Sequence, residues 1–90
     1  MAQLQSIPGT VPLYGRLTKD LRGSSIEQMT FELDPRETIP EGSSVKATLS
    51  SSPDLSYAIY DLEVFFCDGR PNHFAVEPRA FEDAFEPSKI

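Results

Sequence analysis

Apolar and polar residues alternate along several stretches of the chain, and this pattern predicts β-strands. The clearest alternation covers residues 57–66. Because a period of two places successive side chains on opposite faces of a sheet, one set is expected to face the core: Ala58, Tyr60, Leu62, Val64 and Phe66. The other set is expected to face outwards: Tyr57, Ile59, Asp61, Glu63 and Phe65.

Shorter alternations at residues 29–33 and 45–49 predict two half-buried antiparallel strands. A weaker first strand is predicted from Val11, Leu13 and Leu17, with Pro12 confining it to a sheet edge and Gly15 marking a bulge. Residues 1–10 contain Pro8 and Gly9 and show no sustained period. They are expected to form a flexible N-terminal segment or an edge segment before the single β domain of residues 11–90.

Residues rich in glycine, proline, serine and aspartate separate these stretches and predict turns. The predicted turns lie at residues 22–25, 34–35, 40–43, 52–54 and 68–72. Since Phe74 and Val76 continue the alternation after the last of these turns, residues 57–76 are expected to form a long hairpin.

The pattern changes to a helical period near the C-terminal end of the sequence. The helical stripe consists of Ala80, Phe81, Ala84 and Phe85. Pro78 suits a first helical position, and Pro87 is expected to stop the helix. The predicted fold is therefore mainly β: a small antiparallel sandwich or partly open barrel of about five strands with a short C-terminal helix.

The acidic residues concentrate in the later strands and the tail. The chain of 90 residues has a net charge of −6, made up of +1 for residues 1–30, −3 for residues 31–60 and −4 for residues 61–90. In the helix, Arg79 is spaced to pair with Asp83. Negative charge disfavours nucleic acid and anionic lipid as partners, and it favours a basic protein surface.

Cysteine content and hydropathy bear on the compartment. The single cysteine, Cys67, cannot form an internal disulfide, and the N-terminal residues lack the order of a signal peptide. The longest apolar run has four residues, so membrane insertion is not expected. The expected location is the cytoplasm.

Few residues are suited to catalysis or metal binding. Cys67 and His73 flank one loop and could form a nucleophile–base pair, but no oxyanion loop or nucleophile elbow accompanies them. Together with Asp68 they offer three mixed ligands, fewer than a structural zinc site needs. Arg16, Lys19 and Arg22 with Tyr14 are more typical of a solvated loop than of a nucleic-acid groove. We expect no catalytic, cofactor-binding or metal-binding residues.

A contact surface is the more favoured interpretation of the outward-facing set. Asp61 and Glu63 are flanked there by apolar residues, which is unusual for a face that meets only water, although a second buried layer would also explain it. The predicted partner-binding residues are Tyr57, Ile59, Asp61, Glu63, Phe65, Glu82, Asp83 and Glu86.

These observations favour a non-catalytic protein-binding module: an accessory subunit, adaptor or inhibitor that docks through an acidic hairpin and the C-terminal helix. One alternative is a structural subunit of a phage particle or another homo-oligomeric assembly, joined through strand edges. A small hydrolase that uses Cys67 and His73 is the least favoured.

Overall fold

The structure is a computed structural model that describes residues 2–26, 30–31, 37–53, 55–65 and 73–88. Within these ranges the chain forms ten β-strands and one α-helix. The strands are β1 (Ala2–Gln3), β2 (Gln5–Ser6), β3 (Leu13–Leu17), β4 (Leu21–Ser25), β5 (Thr30–Phe31), β6 (Glu37–Ile39), β7 (Ser44–Ser51), β8 (Ile59–Val64), β9 (His73–Val76) and β10 (Phe85–Pro87). The helix α1 (Pro78–Ala84) lies between β9 and β10.

Eight of the strands form one antiparallel sheet that curls into a half-barrel. Its order is β10-β3-β7-β8-β9-β4-β6, and β2 pairs with β7 beside β3. β1 and β5 form a separate two-stranded sheet. The predicted class, mainly β with a partly open barrel and one C-terminal helix, is confirmed. The described strands are more numerous and shorter than the five expected.

The main core lies between one face of the sheet and α1. Leu62 and Val64 are fully buried there and Tyr60 packs against them, so the predicted inward face of residues 57–66 is confirmed for these positions. Val45 and Ala47 on β7 are buried beside them, in register with Val64 and Leu62. The main core comprises Leu17, Leu21, Ile39, Val45, Ala47, Leu62, Val64, Phe74, Val76, Phe81 and Ala84.

The hairpin predicted over residues 57–76 is present as the antiparallel pair β8 and β9, with Leu62 opposite Phe74. Its loop, predicted at residues 68–72, lies outside the described residues, as do Phe66 and Cys67. The turn predicted at residues 40–43 is confirmed, because the Ser43 amide donates to the Pro40 carbonyl and Gly42 has a φ of 86°.

The helix α1 closes the main core from one side. Pro78 occupies its first turn, as predicted, and Phe81 and Ala84 are buried. The ring of Phe81 lies between those of Tyr60 and Phe85, at centroid distances of 4.3 and 4.5 Å. The prediction that Phe85 belongs to the helix is wrong. Its backbone is extended, and Phe85 is the first residue of β10. Among the described residues, no helix has the length and apolar character that crossing a membrane requires.

A second hydrophobic cluster packs on the opposite face of the sheet. It comprises Leu4, Ile26, Phe31, Ile59 and Ala75, with Leu55 against it. Of the flexible or edge segment predicted over residues 1–10, the structure describes residues 2–10: they contain β1 and β2, and Leu4 is only 1% exposed. The burial of Leu4 in this cluster explains why the segment is held. Of the strand predicted over residues 29–33, Thr30 and Phe31 form β5, whereas Met29 and Leu33 lie outside the described residues.

Two glycines lie where neighbouring backbone comes very close. Residues 22–25, predicted as a turn, belong to β4; a Cβ on Gly23 would lie 2.8 Å from Cγ1 of Val76, so the strand needs a residue without a side chain there. Gly15 does not mark a bulge, since β3 keeps a continuous register with β7. A Cβ on Gly15 would overlap the carbonyl oxygen of Glu86, and glycine therefore admits β10 to the sheet.

Candidate functional site

The predicted outward face of residues 57–66 is divided between exposed and buried side chains. Tyr57 and Phe65, which flank β8 at its two ends, are each 51% exposed. Ile59, predicted to join them on a partner-binding surface, is only 4% exposed and belongs to the second cluster. The prediction that Ile59 lies on an exposed face is therefore wrong, because the N-terminal strands and β5 bring Leu4 and Phe31 over it.

The two acidic residues of this face are half buried and lie beside cationic or titratable groups. Nδ1 of His73 lies 3.2 Å from Oδ1 of Asp61, whose side chain is 14% exposed. Glu63 is directly opposite Lys46 on β7 and opposite His73 on β9. The centre of the predicted acidic strip therefore contains one side-chain contact, between Asp61 and His73, and Glu63 has Lys46 and His73 as its cross-strand neighbours.

A pocket of about 340 Å³ opens between α1, β4 and the residues that precede β8. We call it the helix pocket. It brings together three of the predicted partner-binding residues, Tyr57, Ile59 and Asp83. Its full lining consists of Lys19, Asp20, Leu21, Arg22, Ser24, Phe31, Tyr57, Ile59, Ala75, Val76, Glu77, Ala80, Asp83 and Ala84.

The helix pocket has an apolar floor and a charged mouth. The floor is drawn from both hydrophobic clusters, with Phe31, Ile59 and Ala75 from the second cluster and Val76 and Ala84 from the main core. Five charged residues, all exposed, surround the mouth: Lys19, Asp20, Arg22, Glu77 and Asp83. An apolar floor with polar groups at the rim is typical of a site that binds a ligand or an anchoring side chain.

A shallower depression of about 570 Å³ lies near the β10 edge of the sheet. We call it the edge groove. It brings together two other predicted residues, Phe65 and Glu86, with Tyr14, which is 53% exposed. Its remaining lining residues are Gly15, Arg16, Ser44, Val45, Pro87 and Ser88. Two exposed aromatic rings beside one groove are typical of a contact surface.

The acidic residues of the tail are spread over the two pockets. Asp83 at the helix pocket pairs with Lys19 at 2.5 Å, and Glu86 at the edge groove lies 3.7 Å from Nε of Arg16. The ion pair predicted between Arg79 and Asp83 is replaced by the contact with Lys19, which the turn between β3 and β4 brings over the helix. Glu82 is exposed on α1 and lines neither pocket.

The residues considered for catalysis and metal binding are only partly described. His73 contacts Asp61, whereas Cys67 and Asp68 lie outside the described residues. Within the part of the chain that the structure describes, no group of three His, Cys, Asp or Glu side chains is placed to hold a metal ion.

Sequence reasoning missed several residues that line the helix pocket. Ser24 was assigned to a turn, and Phe31 was placed on a different strand of the core. Ala75 could have been found, because the predicted hairpin places it directly opposite Asp61 and therefore on the same face as Ile59. The contribution of Lys19 depends on a contact between residues 64 positions apart, which no local pattern indicates.

Comparisons with protein-family models, with curated proteins and with solved structures found no match to this chain.

Proposed function

We propose that this protein is a non-catalytic binding module that docks on another protein in the cytoplasm, as an accessory subunit, adaptor or inhibitor. The observation that carries the proposal is the position of Tyr57 and Phe65. Each ring is half exposed, each lines a pocket, and each pocket has an exposed ion pair at its rim. Exposed aromatic side chains surrounded by polar groups are the common anchors of protein interfaces.

The proposed contact surface differs from a continuous acidic strip. Asp61 contacts His73 and is mostly buried, and Glu63 has Lys46 directly opposite on β7, so these two residues do not form an isolated, exposed negative strip. The aromatic anchors supply affinity, and the exposed acidic residues Glu82 and Glu77 supply the preference for a basic partner surface.

The first experiment compares exposed apolar side chains that line the two pockets with one that lies outside them. The double variant Tyr57→Ser/Phe65→Ser is expected to fold like the wild type, because both side chains are half exposed. Val11→Ser is the matched control, since Val11 is 78% exposed and lines neither pocket. Circular dichroism and urea titration establish that each variant is folded.

Affinity capture from cells that encode the protein, with quantitative mass spectrometry, then compares the three forms. We expect at least one protein to be retained by the wild type and by Val11→Ser and to be lost with the double variant. If no protein shows this pattern, the aromatic residues are not docking anchors and the proposal is wrong.

The open half-barrel also favours a second function, a structural subunit that assembles with copies of itself. The edges of the sheet are the short strands β10 and β6, and unpaired strand edges are able to join chains. Sedimentation velocity over a wide range of concentrations separates the two functions. Discrete oligomers that grow with concentration and disappear in Phe65→Ser would support the structural subunit and contradict the binding module.

A further inference from the structure

The helix pocket lies at the junction of the two hydrophobic clusters. Ile59 and Ala75 belong to the second cluster, whereas Val76 and Ala84 belong to the main core. Its volume of about 340 Å³ lies at the lower end of the range of ligand-binding sites. A pocket of this size and apolarity suits one or two large apolar side chains of a partner better than it suits an extended ligand.

The charges at the mouth of the helix pocket are not balanced. Three carboxylates, those of Asp20, Glu77 and Asp83, face two cations, Lys19 and Arg22, and Lys19 pairs with Asp83. The carboxylate of Asp20 accepts a hydrogen bond from the Glu41 amide, a contact that leaves its negative charge uncompensated.

Glu77 adds a second carboxylate to this mouth. It is exposed at the N-cap position of α1, its side chain does not cap the helix, and among the described residues it has no ion-pair partner. Since the carboxylates at the mouth outnumber the cations by one, the summed charge beside the apolar floor is negative, which complements a cation at the surface of a partner.

We propose that the helix pocket receives a leucine-sized apolar side chain that is flanked by lysine or arginine on the partner protein. The proposal rests on the proposed function and names the partner segment that the site would select. The apolar side chain would lie between Ile59, Ala75 and Ala80, under the ring of Tyr57. Its basic neighbours would meet Asp20 and Glu77 at the mouth.

Three synthetic peptides test this chemistry directly. They are acetyl-Gly-Lys-Leu-Lys-Gly-amide, the acidic analogue with glutamate in place of both lysines, and the analogue with alanine in place of leucine. Binding is followed by chemical-shift changes in ¹H–¹⁵N NMR spectra of the whole chain. We expect the first peptide to shift the amide signals of Ser24, Ala75 and Ala80, and to bind roughly tenfold more tightly than either analogue.

Two sets of variants locate the effect. Ala80→Leu adds a side chain that fills the pocket and is expected to abolish the shifts, whereas Ala58→Leu, outside both pockets, is expected to retain them. Asp20→Asn/Glu77→Gln is expected to remove the preference for the basic peptide over the acidic one. The control Glu37→Gln/Glu41→Gln changes the net charge equally at exposed positions outside the pocket and is expected to keep that preference. The carboxylate variants also test the proposal if Ala80→Leu fails to fold.

Several outcomes would overturn the inference. Equal affinity for the basic and acidic peptides, shifts that survive in Ala80→Leu, or shifts confined to the edge groove would each exclude a basic-apolar anchor in the helix pocket. If a partner captured through Tyr57 and Phe65 binds Ala80→Leu as it binds the wild type, the binding module stands and this assignment of the pocket falls. If no partner depends on Tyr57 and Phe65 while the basic peptide binds as expected, the pocket assignment stands and the proposed function falls.

Discussion

His73 and Asp61 meet diagonally across the β8–β9 ladder, with 3.2 Å between Nδ1 and Oδ1. Asp61 is the more buried partner, since its side chain is 14% exposed against 44% for His73. From the sequence alone, Asp61 and Glu63 are equivalent solvated carboxylates that can be replaced without loss of stability. The structure distinguishes them.

We therefore expect Asp61→Ala to lower the free energy of unfolding by about 1 kcal/mol, because the contact between Asp61 and His73 is lost. Glu63→Ala should cost less, at most about 0.5 kcal/mol, since Glu63 has only cross-strand charged neighbours and no ion pair among the described residues. In a double-mutant cycle with His73→Ala, Asp61 should show a coupling of roughly 0.5 kcal/mol, kept small by the solvent around His73. Urea titration of the single and double variants measures these values, and equal effects of the two carboxylates would contradict the assignment.

Leu62 is expected to be among the most sensitive positions of the fold. It is completely buried in the main core, opposite Ala47 and Phe74. Leu62→Ala should lower the free energy of unfolding by roughly 2–5 kcal/mol, because it removes apolar contacts and leaves a cavity. Chemical denaturation checks this, with the half-exposed Tyr57→Ala as the control that should change stability by less than about 1 kcal/mol. If Leu62→Ala left the free energy of unfolding unchanged, β8 would present its other face to the core.

Ile59 tests whether the second cluster stabilises the fold. Although it lies on the opposite face of β8 from Leu62, it is only 4% exposed. We expect Ile59→Ala to cost roughly 2–4 kcal/mol, below the cost at Leu62 because the second cluster is smaller. The measurement is again the free energy of unfolding. A loss of less than about 0.5 kcal/mol would be the value for a solvent-facing residue and would contradict the burial.

Gly15 and Gly9 are expected to respond to alanine for different reasons. A methyl group at Gly15 would overlap the Glu86 carbonyl and lie 2.7 Å from the Phe85 ring, so Gly15→Ala should displace β10 and cost roughly 1–3 kcal/mol. At Gly9 there is open space, but its φ of 85° disfavours alanine by about 1 kcal/mol. Amide hydrogen exchange separates the two, because only Gly15→Ala should deprotect the amides of β10. Unchanged protection of the β10 amides in Gly15→Ala would contradict the close approach of β3 and β10.

Local patterns predicted the parts of the fold whose strands carry regular apolar alternation. β7, the β8–β9 pair and α1 follow from residues such as Val45, Leu62 and Phe81, whose spacing marks the buried face. β4 was missed because Gly23 and Ser24 are typical of turns, whereas here small residues are needed where Val76 packs closely against the strand. Local propensity yields to tertiary packing at such positions.

The candidate site was predictable only in part. Tyr57, Phe65 and Asp83 were identified from alternation and charge, and they do line pockets. The pockets themselves depend on contacts between distant segments: Phe31 reaches Ile59 across the second cluster, and Lys19 reaches Asp83 over the helix. No single stretch of sequence contains this information, so the division of the acidic surface into two sites could not be foreseen.

The pairing of β10 with β3 has a consequence for how the chain acquires its fold. Thr18 donates to the Ala84 carbonyl across 66 positions, and Phe85 pairs with Leu17 immediately beyond. Native contacts between such distant residues slow folding, because a long loop must close before the contacts can offset its entropy. During synthesis, the edge of β3 that pairs with β10 therefore stays unpaired until α1 and β10 have left the ribosome. We expect the nascent chain to depend on chaperones over this interval, and shortened chains that end before Pro78 to aggregate rather than fold.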